Sequence, residues 1–198
     1  MGQKPRVEVE IKLPVASKAA VRRGLRAAGF RRVRRRMLEV NWIMDDARGS
    51  LRRVGRLLRL RCSGTQWILT AKGPSKPGRH KRRDEIETEV SDGPACRKLL
   101  QTLGFEARFV YERYRTTYRH ADGGEGVLDE TPLGDFLELE GKASWIDRAA
   151  KALGYRRQQY ILTSYVGLFE AYVAHTGSRA RQFTFAEMAS AKGKRGRG

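Results

Sequence analysis

Apolar and polar residues alternate along seven stretches of the chain, which is the periodicity typical of β-strands with two unlike faces. In residues 6–14, apolar side chains at the odd positions alternate with Glu8, Glu10 and Lys12. Tyr, Thr and Val are frequent in these stretches, and all three residue types favour strands. The other six stretches are residues 57–62, 67–72, 83–90, 109–119, 126–130 and 136–142. We therefore predict at least seven strands.

Three further segments have the spacing of short amphipathic helices, and each ends in a glycine followed by an aromatic residue. Glycine readily adopts the left-handed conformation that commonly ends a helix. The three glycines are Gly29, Gly104 and Gly154. We expect these helices to begin at Ser17, near Pro94 and at Ser144, and a fourth helix to run over about 159–175. Strands and helices together predict an α+β fold with a large antiparallel sheet or barrel.

The charge of the chain narrows the class of partner. Its 198 residues carry a formal net charge of +19, which favours anionic partners such as phosphates or nucleic acid. Residues 178–198 hold six Lys or Arg and one Glu without periodicity, so we expect a mobile basic tail with non-specific nucleic-acid contacts. The two cysteines form no disulfide framework, and no apolar run reaches 18 residues. We expect a cytoplasmic protein without a membrane partner.

The polar faces of the predicted strands carry acids and bases in pairs at alternate positions. For a single strand, a solvated outer face with salt bridges is the more common explanation. Arginine pairs, however, suit phosphate oxygens, and carboxylate pairs suit Mg²⁺ or Mn²⁺. If the sheet closes into a barrel, these faces meet in one lumen and form a site for a polyanion and a metal. The acids are Glu8, Glu10, Asp129, Glu138 and Glu140, and the bases are Lys12, Arg59, Arg61, Lys72, Arg113 and Arg115.

The segment Glu8-Val-Glu10-Ile-Lys12 resembles the ExExK signature of the CYTH superfamily, the triphosphate tunnel metalloenzymes. Six later segments match that family in the same order. Of these, residues 129–141 are most similar to the branch called class IV adenylate cyclase. The six segments are residues 58–61, 69–74, 83–87, 114–115, 128–141 and 164–165.

The resemblance implies a closed antiparallel eight-stranded β-barrel with helices packed outside, formed by residues 1–177 and holding a triphosphate with Mg²⁺ or Mn²⁺. It implies metal ligands at Glu8, Glu10, Asp129, Glu138 and Glu140. It implies substrate-binding residues at Lys12, Arg59, Arg61, Lys72, Arg83, Arg113 and Arg115, with Glu85 and Glu87 beside them. Glu8, Glu10 and Lys12 would take part in catalysis.

Three functions remain open at this point. The first is a class IV adenylate cyclase-like enzyme that converts ATP to cyclic AMP and pyrophosphate. The second is a triphosphatase acting on inorganic triphosphate, thiamine triphosphate or RNA 5′-triphosphate ends. The third is a basic module that binds nucleic acid or polyphosphate without catalysis, since the net charge alone would suit it. The oligomeric state is also open, a dimer included.

Overall fold

A computed structural model describes residues 6–193. The strands are β1 (Arg6–Val15), β2 (Phe30–Asp45), β3 (Leu57–Ser63), β4 (Gln66–Lys72), β5 (Lys81–Val90), β6 (Glu106–His120), β7 (Glu125–Thr131) and β8 (Gly134–Glu140). The helices are α1 (Lys18–Ala27), α2 (Ser50–Arg53), α3 (Gly93–Thr102), α4 (Ala143–Ala152), α5 (Tyr165–Thr176) and α6 (Phe185–Gly193).

The eight strands form one closed barrel in the order β1-β5-β4-β3-β2-β6-β7-β8, and every neighbouring pair is antiparallel. The first and last strands close it, with Glu10 opposite Glu140 and Lys12 opposite Glu138. The prediction of a closed eight-stranded antiparallel barrel with helices is therefore confirmed.

The apolar faces of β1, β7 and β8 point outward and are covered by helices. Ile11 and Leu139 are at most 1% exposed and belong to a cluster with Leu25 of α1 and Trp145 of α4. Because side chains alternate along a strand, this packing turns Glu8, Glu10 and Lys12 toward the barrel interior. Because the apolar side chains are buried under helices on the outside of the barrel, the charged side chains of these strands point inward.

A second apolar cluster covers another part of the barrel and includes the C-terminal region. Phe183 is fully buried between Tyr165 and Phe169 of α5, and its backbone exchanges hydrogen bonds with Val110 and Glu112 of β6. The expected mobile tail is therefore wrong for residues 178–191, since Ala180, Phe183 and Met188 are buried against the barrel. Residues 194–198 lie outside the described part of the chain.

The strand that the hydrophobic pattern did not predict is β2. Its first half is an arginine run, and register shifts interrupt its pairing with β6 between Arg32 and Arg34 and between Arg34 and Met37. These irregularities disturb the two-residue period on which strand prediction depends. The other strands agree with prediction to within a few residues.

Helix starts were predicted with mixed success. Ser17 does cap α1, where its hydroxyl accepts a hydrogen bond from the Ala20 backbone N–H. Pro94 lies in the first turn of α3, as predicted, and Asp92 caps that helix, whereas α4 begins directly after Lys142 and not at Ser144. The predicted fourth helix begins later than expected, because Ser164 caps α5. Within residues 6–193, no helix has the length and apolar character needed to cross a membrane.

Candidate active site in the barrel lumen

The barrel encloses a cavity of about 390 Å³ whose wall consists mostly of charged side chains. Of the fourteen site residues predicted from sequence, thirteen line it, and Asp129 does not. The thirteen are Glu8, Glu10, Lys12, Arg59, Arg61, Lys72, Arg83, Glu85, Glu87, Arg113, Arg115, Glu138 and Glu140. The inward-facing alternative for the charged strand faces is therefore confirmed, and the solvated outer face is wrong for these residues.

Cations outnumber acids on the cavity wall. Among the described residues, ten Lys or Arg side chains and seven glutamates line the cavity, an excess of three positive charges. A closed wall with such an excess attracts a polyanion and raises its local concentration. Sequence reasoning missed four of the charged lining residues, namely Arg6, Lys81, Arg119 and Glu125.

Two arginines of β6 are held in place by buried carboxylates. Arg113 donates to Glu39 at 2.9 Å and to Asp129 at 3.0 Å, and Arg115 donates twice to Asp129, at 2.7 and 2.6 Å. Asp129 is fully buried and also accepts a hydrogen bond of 2.8 Å from the Tyr165 hydroxyl. In this arrangement Asp129 lies behind the cavity wall, where it orients Arg113 and Arg115 instead of facing the open space.

Two arginines of β3, which only β2 separates from β6, have less counter-charge. Arg59 donates to the Tyr111 hydroxyl and to Thr70, both at 3.3 Å, and to Glu87 at 3.2 Å. Arg61 is 3.8 Å from the same glutamate. Burial together with the neighbouring Arg59 lowers the pKa of Arg61 to about 10. An arginine so poorly neutralised favours the approach of an anion.

Three lysines pair with three glutamates near the closure of the barrel. Their shortest N–O distances are 2.7 Å for Lys12 with Glu138, 2.6 Å for Lys72 with Glu8, and 2.6 Å for Lys81 with Glu10. Burial alone would raise the pKa of Glu10, but Lys81 and the other lysines lower it to about 2.. Glu10 is therefore charged at neutral pH.

Carboxylates are crowded where β1 meets β8. Burial, Glu8 and Glu10 together raise the pKa of Glu140 to about 7. Glu10 and Glu140 face each other across the strand pair, and side chains in such positions are close enough to share an ion. Among residues 6–193, no three acids, histidines or cysteines are already gathered about one point. The donor set nonetheless fits a hard divalent cation, which would offset this local excess of negative charge.

Arg83 and Tyr165 both border the cavity. The Arg83 guanidinium donates to the backbone carbonyls of Gly73 and Gly55 at 2.7 and 2.6 Å, so it ties two loops together at the edge of the cavity. Tyr165 of α5 also reaches the lumen, and the centre of its ring lies 4.4 Å from the Lys12 Nζ. Its aromatic face therefore supports a lysine of the ExExK segment.

Sequence reasoning also missed Glu39 of β2, a buried acid that contacts the arginines of the lumen. Burial would raise the pKa of Glu39, but Arg113, Arg115 and Arg61 lower it to about 2. The missing signal was the strand itself, because without β2 nothing placed Glu39 on an inward face. Asn41, two residues later, is fully buried and points to the same side of the strand.

The family model of the CYTH domain matches residues 6–163 of this chain. The chain belongs to the CYTH family. A proposed adenylate cyclase of Methanocaldococcus jannaschii is 31% identical to this CYTH protein over 147 residues, which are 74% of this chain and 83% of that one.

Solved structures share the fold of this CYTH protein at lower identity. A proposed adenylate cyclase from Vibrio parahaemolyticus is 18% identical with a TM-score of 0.73, covering 86% of this chain and 99% of that chain. A Hippeastrum protein, proposed as an adenylyl cyclase and described as having a dominant triphosphatase activity, is 19% identical with a TM-score of 0.63. The match covers 84% of this chain and 95% of the Hippeastrum chain. These likenesses establish the barrel fold.

Proposed function

We propose that this CYTH protein is a Mg²⁺- or Mn²⁺-dependent enzyme that binds ATP through its triphosphate and forms cyclic AMP and pyrophosphate. The observation that carries the proposal is the closed lumen, where ten cations surround the cavity and four carboxylates on β1 and β8 face it. The 31% identity to a proposed adenylate cyclase supports the choice of reaction.

The cations perform most of the work by position and charge. A triphosphate carries about four negative charges, and catalysis of phosphoryl-type transfers consists mainly of positioning and charge neutralisation. Arg59, Arg61, Arg113 and Arg115 offer rigid forks to the non-bridging oxygens, while Lys12 and Lys72 supply point charges. As the bond to the leaving pyrophosphate breaks, these groups stabilise the charge that develops on it.

The carboxylates of β1 and β8 would hold the divalent cation. Glu138, Glu140 and one of Glu8 or Glu10 would supply the oxygen ligands, and the bound cation would neutralise phosphate charge. Their present partners, Lys72 and Lys81, would then transfer their hydrogen bonds to the phosphate oxygens. Asp129 remains the counter-ion that orients the β6 arginines.

The reacting atoms in the cyclase reaction are the ribose 3′-oxygen and the α-phosphorus. A bond forms between them, the bond to the pyrophosphate oxygen breaks, and the 3′-hydroxyl proton passes to a carboxylate. Glu8 or Glu10 is the acceptor that we propose, because both face the lumen beside the cations. Lys12, which is 2% exposed, would hold the phosphate at the attacked position.

Hydrolysis of a triphosphate is the second candidate function, because the cavity lining offers more contacts for phosphates than for a nucleotide base. Its two aromatic rings, Tyr111 and Tyr165, already contact Arg59 and Lys12. A base platform for adenine is therefore less developed than the phosphate site. With water as nucleophile, the same cations would serve a triphosphatase, the activity described for the Hippeastrum protein.

Product analysis with ATP separates these outcomes. We expect cyclic AMP and pyrophosphate in the presence of Mg²⁺ or Mn²⁺, and no product with EDTA. ADP and phosphate, or turnover of inorganic triphosphate or thiamine triphosphate alone, would select the triphosphatase. Absence of metal-dependent turnover of any of these triphosphates, or of triphosphate-ended RNA, would refute the enzyme and leave a binding module.

Substitution of Glu140 by Gln tests the carboxylate set. We expect Glu140→Gln to abolish metal-dependent turnover while the thermal midpoint stays close to that of the wild type. The matched control is Glu106→Gln, whose side chain is 68% exposed on the outside of the barrel. Unchanged activity of Glu140→Gln would remove this residue from the metal site.

A further inference from the structure

A separate basic surface lies outside the barrel on α1 and the first half of β2. We call it the basic face. From position 18 to position 38 the sequence holds nine Lys or Arg and no Asp or Glu. Eight arginines of this stretch are exposed, and they define the face: Arg22, Arg23, Arg26, Arg31, Arg32, Arg34, Arg35 and Arg36.

The irregular pairing of β2 explains how consecutive arginines all reach the surface. In a regular strand, alternate side chains would point into the lumen. The register shifts between Arg32 and Arg34 and between Arg34 and Met37 break that alternation. Bulges of this kind redirect side chains. The shifts thus present an exposed arginine row, whereas the regular part of β2 directs the buried Glu39 to the arginines of the lumen.

The helix and strand arginines belong to one surface. Glu130 of β7 accepts a hydrogen bond of 2.8 Å from Arg36, and it also lies 3.8 Å from Arg22 of α1. Arg34 donates to the side-chain oxygen of Gln66. Within residues 6–193, no carboxylate or amide oxygen pairs with the remaining five arginines of the face. Those five are Arg23, Arg26, Arg31, Arg32 and Arg35.

We propose that the basic face binds the phosphate backbone of a double-stranded nucleic acid. Its cations are arginines, whose guanidinium forks match phosphate oxygens. No exposed aromatic side chain is found in the described α1 and β2, so the face lacks the stacking platforms typical of single-strand binding. Val33 and Leu38 are its only large exposed apolar side chains among the described residues of α1 and β2. That is little apolar area for insertion into a membrane interface.

The size of the arginine row fits a duplex. From Arg31 to Arg36 the strand extends at most about 16 Å, and a duplex presents about one phosphate charge per 1.7 Å of its axis. The row therefore faces more phosphates than it has arginines. Arg31 is also the strand partner of Arg119, which lines the cavity. A duplex on this face would lie beside the barrel cavity without occupying it.

Duplex binding is measured by fluorescence anisotropy on the full-length protein with blunt duplexes carrying 5′-hydroxyl ends, so that no terminal phosphate can enter the cavity. If each of the five arginines between Arg31 and Arg36 neutralises one phosphate, we expect a slope of about −4.5 for the logarithm of the binding constant against the logarithm of the salt concentration. This slope corresponds to roughly a 500-fold loss of affinity between about 50 and 200 mM salt. Duplex RNA and duplex DNA of one sequence form the two arms. Binding of the duplexes supports backbone recognition, whichever of the two binds more tightly. If neither duplex binds, the proposal is refuted.

A fourfold arginine variant and a charge-matched control locate the site. We expect Arg31→Ser, Arg32→Ser, Arg34→Ser and Arg35→Ser together to bring the slope to about −1. The control combines Arg48→Ser, Arg53→Ser, Arg97→Ser and Lys98→Ser, all exposed elsewhere, and should keep most of the slope. If the fourfold variant does not fold, the two adjacent double variants of the row are compared, each expected to reduce the slope by about 2.

Three results would overturn the proposal. An equal loss of duplex affinity in the fourfold variant and in its control would show that only the net charge of the protein matters. Unchanged duplex binding in the variant would exclude the face. The protein could also bind vesicles containing phosphatidylserine more tightly than either duplex, through the same arginines. That result would assign the face to a membrane surface. A lumen variant such as Arg59→Ala is expected to bind duplex normally, so failure of the proposed enzyme function leaves this test intact.

Discussion

The position of Asp129 behind the cavity wall makes a sharp prediction about its role. Its carboxylate is fully buried and accepts four hydrogen bonds, two from Arg115 and one each from Arg113 and Tyr165. Asp129→Asn keeps the shape of the side chain but removes its charge and turns an N–H donor toward two arginines. Breaking a buried ion pair by loss of one partner costs about 3–5 kcal/mol.

The expected loss for Asp129→Asn lies at the lower end of that range. Arg113 keeps Glu39 at 2.8 Å, and Arg115 keeps its contact with Glu138, so neither arginine is left without a carboxylate. We therefore expect a loss of about 3 kcal/mol in the free energy of unfolding, measured in urea. For a chain of this size that corresponds to a fall of about 6–12 °C in the thermal midpoint.

Calorimetric titration with Mn²⁺ in the presence of inorganic triphosphate completes the experiment. If Asp129 is a counter-ion, the variant loses stability even without metal, and weaker binding follows from displaced arginines. Glu106→Gln, exposed and outside the barrel, serves as control and should change stability by less than about 1 kcal/mol. A variant with wild-type stability in metal-free buffer but without Mn²⁺ binding would refute this reasoning and make Asp129 a metal ligand, as the sequence resemblance implied.

Three further predictions concern the arginines, an acid and a loop. Arg59→Ala should lower kcat/KM, with a loss of about 2–3 kcal/mol in transition-state stabilisation because a charge-assisted contact is removed. The exposed Arg53→Ala should leave kcat/KM unchanged. An unchanged kcat/KM for Arg59→Ala would place Arg59 outside the substrate site. Because the lumen arginines lower the pKa of Glu39 from 4.5 to about 2, its ionised form contributes about 3 kcal/mol of stability above pH 4.5, and this is lost as the pH falls toward 2. The stability difference between wild type and Glu39→Gln should therefore shrink across that range, and a constant difference would contradict the ion pair. Asp147 holds His80 at 2.9 Å, so Asp147→Asn should speed tryptic cleavage at Arg79 without changing global unfolding in urea; unchanged cleavage would show that the loop is held by other contacts.

Strand alternation was sufficient to predict seven of the eight strands, and together with the ordered motifs it predicted thirteen of the seventeen charged residues that line the described lumen. The reason is that apolar clusters such as that of Ile11 and Leu139 are buried under helices, which leaves one direction for the charged faces. The ordered sequence motifs then indicated that the sheet closes. Alternation alone does not distinguish an inward charged face from a solvated one.

What sequence reasoning could not reach depends on register and long-range packing. Glu39 was missed because the arginine run of β2 has no two-residue period. Asp129 and Arg83 share the inward parity of their neighbours, but their roles depend on which side chains surround them across strands. Phe183 is an isolated aromatic in a basic segment, and only its burial against α5 and β6 reveals that the segment is folded.

We propose that the lumen holds a triphosphate and a divalent cation together. Anomalous diffraction from crystals grown with Mn²⁺ and inorganic triphosphate tests it most directly. We expect a manganese peak at coordination distance from carboxylate oxygens of Glu138, Glu140 and Glu8 or Glu10, with phosphate oxygens on Arg59 and Arg113. A peak outside the barrel, or triphosphate bound only to the outer arginines, would contradict the account.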